Sequence, residues 1–287
     1  MDDGAHSQAA VADRQAIIGT ILAVLRERTG YDFSRYRPAT VERRIHNRMI
    51  AAGIDSPAEY LALLESTPEE TFRLIERLTI KVSRFYRNNG TFDVLRQELI
   101  PYLAGARGEM PIRIWSAGCA CGEEAYTLAM LLEEAGHAGF VEATDIDPSA
   151  LGAAHVGFYS EEAVAELPPD LLDRYLERAS QGRRAGYRVR DALRQRVRFS
   201  RHDLTSRVSI ADGACFDLVC CRNTLIYLQR DVQERALGAL RRALAPGGFL
   251  CLGEAEWPGP AARPSLEPFR HQARIFRAAG RPPAGDA

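Results

Sequence analysis

The sequence predicts an α/β protein with a doubly wound, Rossmann-like sheet, preceded by a small N-terminal helical domain and carrying a small rim insertion. Three observations support this. Residues 112–124, I-R-I-W-S-A-G-C-A-C-G-E-E, read as strand, glycine turn and helix start. Asp145 closes the next apolar segment 23 residues after Gly122, where nucleotide-binding βαβ units place a ribose ligand. Further apolar segments at 197–204, 215–228 and 249–256 are punctuated by a helical pattern.

In chain order, residues 1–10 read as an unstructured start and 11–77 as the helical domain. Ile17, Ile18, Ile21, Leu22 and Leu25 lie at helical spacing, and Gly30 ends that helix. A second helix, T-V-E-R-R-I-H-N-R-M-I-A-A-G, buries Val41, Ile45 and Met49 at i, i+4, i+8. Its Arg43, Arg44 and Arg48 lie off that stripe, with Arg35 and Arg37 just before it. Such a run is either a solvated face or a docking surface for an acidic partner. Pro57 and Pro68 open two more helices. Residues 78–90 form a linker in which Lys81 and Ser83 share one side of an extended segment. The large domain spans 91–279 and begins with the helix T-F-D-V-L-R-Q-E-L-I-P-Y-L. An insertion at about 157–196 breaks the winding with Pro168-Pro169, a helix D-L-L-D-R-Y-L-E-R and a short strand around Tyr187 and Val189. Phe216–Cys220 reads as a central strand, the segment 249–256 as the next, and 273–278 as the last.

The glycine turn is informative in detail. Its glycines are four apart, not in the G-x-G-x-x-G spacing of a dinucleotide site, and Glu123 and Glu124 open the helix. Carboxylates there suit the helix dipole but repel a phosphate. They are either simple helix-start charges or the seat of a cationic ligand, and S-adenosylmethionine, with its sulfonium and ammonium, matches the latter.

Composition removes other classes. The net charge of −1 provides no global attraction to nucleic acid or to anionic membrane. There is neither a signal-peptide pattern nor an apolar run of membrane-spanning length, which predicts a cytoplasmic chain. The six Cys fall in or beside core strands without metal-ligand spacing, so buried free thiols and no metal are expected.

Taken together, W-S-A-G-C-A-C-G-E-E-A-Y, A-T-D-I-D, F-D-L-V-C-C-R-N-T-L-I-Y and L-A-P-G-G-F-L resemble the CheR-type chemotaxis receptor methyltransferases, over about residues 15–278. The resemblance implies a class I methyltransferase sheet and S-adenosyl-L-methionine as cofactor. It implies a monomeric protein-glutamate O-methyltransferase acting on chemoreceptor cytoplasmic helices. By position, it places Lys81, Ser83 and Arg87 in the cofactor-contacting linker, Glu124 at the methionine end and Asp145 at the ribose. Asp203 and Leu204 flank the adenine, Cys221 and Arg222 close that side, and Tyr227 sits near the transferred methyl, with Arg87 and Tyr227 positioning the reactants. Arg43, Arg44 and Arg48 resemble the receptor-docking face. The insertion resembles a small β-subdomain that in some members binds a receptor tail peptide. Lys81 and Ser83 stand where the family usually has Asn and Thr, and Asp203 replaces a common Asn. A non-catalytic cofactor-binding adaptor and a methyltransferase for another protein carboxylate remain open alternatives.

Overall fold

The computed structural model describes residues 3–79, 83–206 and 215–279, with side chains described from residue 13 onward. The chain divides into two compact units, Met1–Ile80 with Tyr227–Gln229, and Lys81–Ile226 with Arg230–Ala287.

The first unit contains α1 (Asp3–Thr29), α2 (Pro38–Ala52), α3 (Pro57–Ser66) and α4 (Pro68–Leu78). Proline stands in the first turn of the last three helices, where its missing N–H costs nothing. Ile21, Leu25, Val41, Ile45, Met49, Tyr60, Leu64 and Leu74 are buried. The helix α1 begins at Asp3, not after an unstructured first ten residues. The Ala-rich run A-H-S-Q-A-A-V-A-D favours helix without needing an apolar stripe.

In the second unit, α5 (Asn89–Val94), a π-turn (Leu95–Leu99) and α6 (Ile100–Arg107) form one continuous element. The Ile100 N–H reaches back to the Leu95 carbonyl immediately before Pro101, which has no N–H to continue the ladder. There follow β1 (Ile112–Ala117), α7 (Glu123–Glu134), β2 (Gly139–Asp145), α8 (Pro148–Val156), β3 (Phe158–Tyr159), α9 (Glu161–Val164), α10 (Pro169–Tyr175), β4 (Leu176–Gln181), β5 (Arg184–Val189), α11 (Asp191–Arg194), β6 (Val197–Arg201), β7 (Phe216–Cys221), α12 (Arg230–Ala243), β8 (Leu244–Leu252), β9 (Leu266–Arg270) and β10 (Ile275–Ala278).

The main sheet has seven strands in the order β6-β2-β1-β7-β8-β10-β9. The first five in that order are parallel; β10 is antiparallel to both β8 and β9. Every residue of β7 is buried, as a parallel strand covered on both faces requires. The strand β1 lies between β2 and β7, so the strand order reverses there, and the crevice beyond the carboxyl ends of these three strands is the natural ligand site.

Three strands depart from the sequence reading. The strand β8 runs Leu244–Leu252 and not over 249–256, because the helix before it already stops at Ala243, short of Pro246. The insertion is a three-stranded antiparallel sheet, β3-β5-β4, whose strand β4 starts at Leu176, inside the stretch read as helix. Strand β9 carries Pro268 and lies at the sheet edge, where a proline is tolerated.

Candidate active site

The site grows from the turn after β1. Gly118 (φ +82°) and Gly122 (φ +94°) occupy the left-handed region, as does Ala120 between them. The N–H groups of Gly118 and Cys119 donate to the Thr144 carbonyl at 2.8 and 2.9 Å, fastening the turn to β2. A Cβ on Gly118 would collide with the Thr224 side chain, so only glycine lets the turn approach the loop after β7.

Three carboxylates converge on this turn. Asp145 Oδ2 accepts from the Ala120 N–H at 2.8 Å and Oδ1 from the Asp147 N–H at 2.9 Å. Glu124 accepts from the Ser116 hydroxyl at 2.7 Å and faces the Arg222 guanidinium at 3.5 Å. Glu123 is 4% exposed and its Oε2 has no hydrogen-bond partner among the described residues. All three act on the buried Cys119 thiol, whose pKa is pushed up by burial first and then by Asp145, Glu124 and Glu123. Burial also raises the carboxyls themselves: Glu123 to about 7, Glu124 against the pull of Arg222, and Asp145 against its backbone donors.

Arg222 is the buried cation of the cluster. Besides Glu124, its guanidinium donates to the Arg87 carbonyl at 2.8 Å and to Asn88 Oδ1 at 3.1 Å, and it stacks over Phe92. It thereby anchors the segment 83–88, in which Tyr86 and Asn88 both have positive φ. On the other side of that segment the Tyr86 N–H reaches Thr127 Oγ1 at 3.3 Å. By resemblance Arg222 closes the adenine side of the site; within the protein its partners are Glu124 and the linker.

The residue that organises this loop escaped the sequence reading. Glu256, 4% exposed, accepts the N–H groups of Asn223, Thr224, Leu225, Ile226 and Gly253 at 2.7–3.3 Å. One carboxylate thus fixes the backbone of the C-R-N-T-L-I motif, including Asn223 at φ +58°. The only trace in sequence is an acid four residues past the end of β8.

Two family models match, CheR methyltransferase all-alpha domain over residues 18–79 and CheR methyltransferase SAM binding domain over residues 81–259. The chain belongs to the CheR methyltransferase family. It is 34% identical over 260 residues to the putative methyltransferase Cher3 of Pseudomonas putida, covering 86% of this chain and 91% of that one. It is also 34% identical over 227 residues to chemotaxis protein methyltransferase 1 of Pseudomonas aeruginosa, covering 75% and 81% respectively. An uncharacterized 104.1 kDa protein of Rhodobacter capsulatus is 37% identical over 272 residues; the match takes in 88% of this chain but 28% of that much longer one.

The CheR cofactor, S-adenosylmethionine, fits the site on charge. Among the described residues, the buried Glu123 and the partly buried Glu124 and Asp145, all with raised pKa values, outnumber the buried Arg222 guanidinium, and the Glu123 Oε2 is a further acceptor. A cationic ligand relieves both conditions.

The remaining expected site residues are distributed as follows. Asp203 is half-buried and its Oδ1 accepts the Thr205 N–H at 2.8 Å, a local turn that leaves Leu204 partly exposed. The Cys221 thiol is fully buried in β7, so no ligand reaches its sulfur; only its backbone lies at the strand end. Ser83 hydrogen-bonds Glu123. Lys81 lies outside the described residues. Tyr227 belongs to the helical unit, where its carbonyl accepts the Arg37 N–H at 2.8 Å.

The three arginines of α2 have different situations. Arg48 makes a two-pronged ion pair with Glu70 at 2.7 and 2.6 Å, and Tyr60 donates to the same carboxylate at 2.8 Å. Burial works to raise the Glu70 pKa, but Arg48 and Tyr60 hold it below the usual value. Arg44 donates to the carbonyls of Arg77, Leu78 and Thr79, capping the C-terminus of α4. Of the three only Arg43 is exposed, on an outward stripe with His46, Asn47 and Ile50. The expectation of a three-arginine docking face thus gives way to one outward arginine and two that bind within the helical unit.

Proposed function

We propose that this chain uses S-adenosylmethionine to methylate glutamate side chains on the cytoplasmic helices of chemoreceptors, giving glutamate methyl esters and S-adenosylhomocysteine. The observation that supports this most is the acid-rich turn, where Asp145, Glu124 and Glu123 surround one buried thiol against a single buried guanidinium. Asp145 would hold the ribose hydroxyls and Glu124 the methionine end. Asp203 and Leu204 would flank the adenine, beside the backbone at Cys221. Ser83 and Arg87 belong to the covering segment, and Lys81 is assigned to it by position in sequence.

The bound cofactor supplies a methyl group activated on a sulfonium. A free glutamate, with a pKa near ~4.3, is already ionised at neutral pH, so the chain need not supply a general base. Its task is alignment, which can contribute on the order of 7–11 kcal/mol at best. Arg87 and Tyr227 are the side chains we assign to positioning the substrate carboxylate. Arg222 prepares the site by holding the Arg87 backbone at 2.8 Å. On the helical unit, the exposed stripe of Arg43, His46, Asn47 and Ile50 offers a basic, partly apolar face suited to an acidic amphipathic helix. No helix among the described residues is long and apolar enough to cross a membrane.

The test is incubation with labelled S-adenosylmethionine and receptor cytoplasmic fragments, followed by alkali treatment. Label released as methanol supports glutamate esters. Alkali-stable label, or none in the presence of measurable cofactor binding, overturns the reading.

A further inference from the structure

Glu123 stands apart from the other acids of the turn. It opens α7, a helix of 12 residues, yet 4% of it is exposed. A helix-start glutamate serving only the dipole would lie in solvent. One of its oxygens has no hydrogen-bond partner among the described residues. Ser83, in the segment that Arg222 and Thr127 also hold, hydrogen-bonds its carboxyl. The Thr127 hydroxyl, which receives the Tyr86 N–H, donates to the Glu123 carbonyl at 2.7 Å. Glu123 is thus joined to the 83–88 segment through both its side chain and its backbone.

We propose that Glu123 is a positioning and specificity residue that fastens the 83–88 segment to α7 and favours the cationic cofactor over its neutral-sulfur product. The inference rests on the cofactor and not on the identity of the methyl acceptor. The groups facing Glu123 are the Tyr159 phenol from β3, the Cys119 thiol from the turn and Ser83 from the segment, with Glu124 next to it on α7. Burial holds both the phenol and the thiol well above their ordinary values, so they are neutral near pH 7. Glu124 has Arg222 as its counterion, whereas no cation among the described residues is paired with Glu123. Its carboxyl, pushed up to about 7 by burial, is divided between acid and carboxylate at neutral pH. A cationic ligand in the turn favours the carboxylate, and a ligand with a neutral sulfur does so less.

The experiment is calorimetric titration of the whole chain with S-adenosylmethionine and with S-adenosylhomocysteine, from pH 6 to 8, in two buffers of different ionisation enthalpy. Cofactor affinity should rise by up to about tenfold over that range, with about half a proton released per cofactor at pH 7, and the product curve should be flatter. Glu123→Gln, which keeps the shape and can still meet Ser83, should flatten the cofactor curve and abolish the proton release. Ser83→Ala removes a hydrogen bond that favours the carboxylate, so it should move the cofactor midpoint to higher pH. Identical pH curves for cofactor and product in the parent chain, or a parent-like cofactor curve in Glu123→Gln, would overturn the proposal. Absence of binding by both ligands in the parent would remove the cofactor reading itself.

Discussion

Replacing Glu256 with Gln should damage the site without touching any residue assigned to cofactor or substrate. The carboxylate oxygens divide the work: Oε2 accepts from Asn223 and Gly253, and Oε1 from Thr224, Leu225 and Ile226. An amide keeps only one acceptor oxygen. Whichever way it turns, at least two backbone N–H groups lose their acceptor and face an NH2 donor instead. Each buried donor left unsatisfied costs about 1–3 kcal/mol. The Leu225 and Gly253 groups are buried, whereas Asn223 and Thr224 are partly open and can recover water. The net loss should therefore be about 2–4 kcal/mol. Urea unfolding followed by tryptophan fluorescence measures it, with the exposed Glu267→Gln as a control. Cofactor affinity should fall as well, because the loop carrying Arg222 loses its fixed backbone. A Glu256→Gln chain within ~0.5 kcal/mol of the control, the range of ordinary surface changes, would show that the five hydrogen bonds do not hold the loop.

Other outcomes follow from the same geometry. Arg48→Ala leaves the buried Glu70 carboxylate with only the Tyr60 hydroxyl and the exposed Arg73 at 3.8 Å, and should cost about 2–4 kcal/mol in thermal or urea unfolding, below the full cost of an uncompensated buried charge, with partial recovery in an Arg48→Ala, Glu70→Gln double variant. Arg43→Ala should leave stability unchanged and lower methylation of receptor fragments, most visibly at low salt, where exposed charges act over longer range. Asp145→Ala should weaken cofactor binding by roughly 1–3 kcal/mol by calorimetry, while also freeing the Ala120 and Asp147 N–H groups. The folded pKa of Glu123, about 7, lies above its reference value of 4.5, so the folded chain binds more protons between those values. Its contribution to stability is full below pH 4.5 and is lost as pH rises through 7, about 3 kcal/mol in all. Glu123→Gln should remove that part of the slope in unfolding measured from pH 5 to 8.

What was legible in the sequence was what is local. The strand–turn–helix at 112–134, the acid ending β2 and the apolar run of β7 are each contiguous in sequence and follow from period and glycine placement. The helix α2 likewise shows the buried Val41, Ile45 and Met49 that its spacing indicates. What was illegible depends on partners far along the chain. Arg48 and Glu70 are 22 residues apart, and a run of arginines gives no sign of which ones face inward. Glu256 acts on residues about 30 positions earlier. The strand β4 was hidden because L-E-R-A-S-Q is mostly exposed and so lacks an apolar alternation, and β9 because of Pro268. Tyr227 reads as part of the strand-end motif, yet its backbone joins the helical unit through Arg37.

The distribution of backbone strain argues for a site formed before the ligand arrives. Five non-glycine residues of the described chain have positive φ, and four of them, Tyr86, Asn88, Ala120 and Asn223, line the turn, the covering segment and the loop after β7. Such a conformation costs of order 1–3 kcal/mol per residue and persists only where its surroundings over-determine it. Here each is held: Tyr86 by Thr127, Asn88 by Arg222, Ala120 by Asp145 and Asn223 by Glu256. Two of the four holders are acids, and Arg222 is paired with a third, so the charges that suit a cationic cofactor also fix the backbone around it. This coupling gives a reason for Asp145 and Glu124 to be enclosed despite their raised pKa values. A solvent-exposed carboxylate could attract the cofactor, but it could not also hold a strained loop in place.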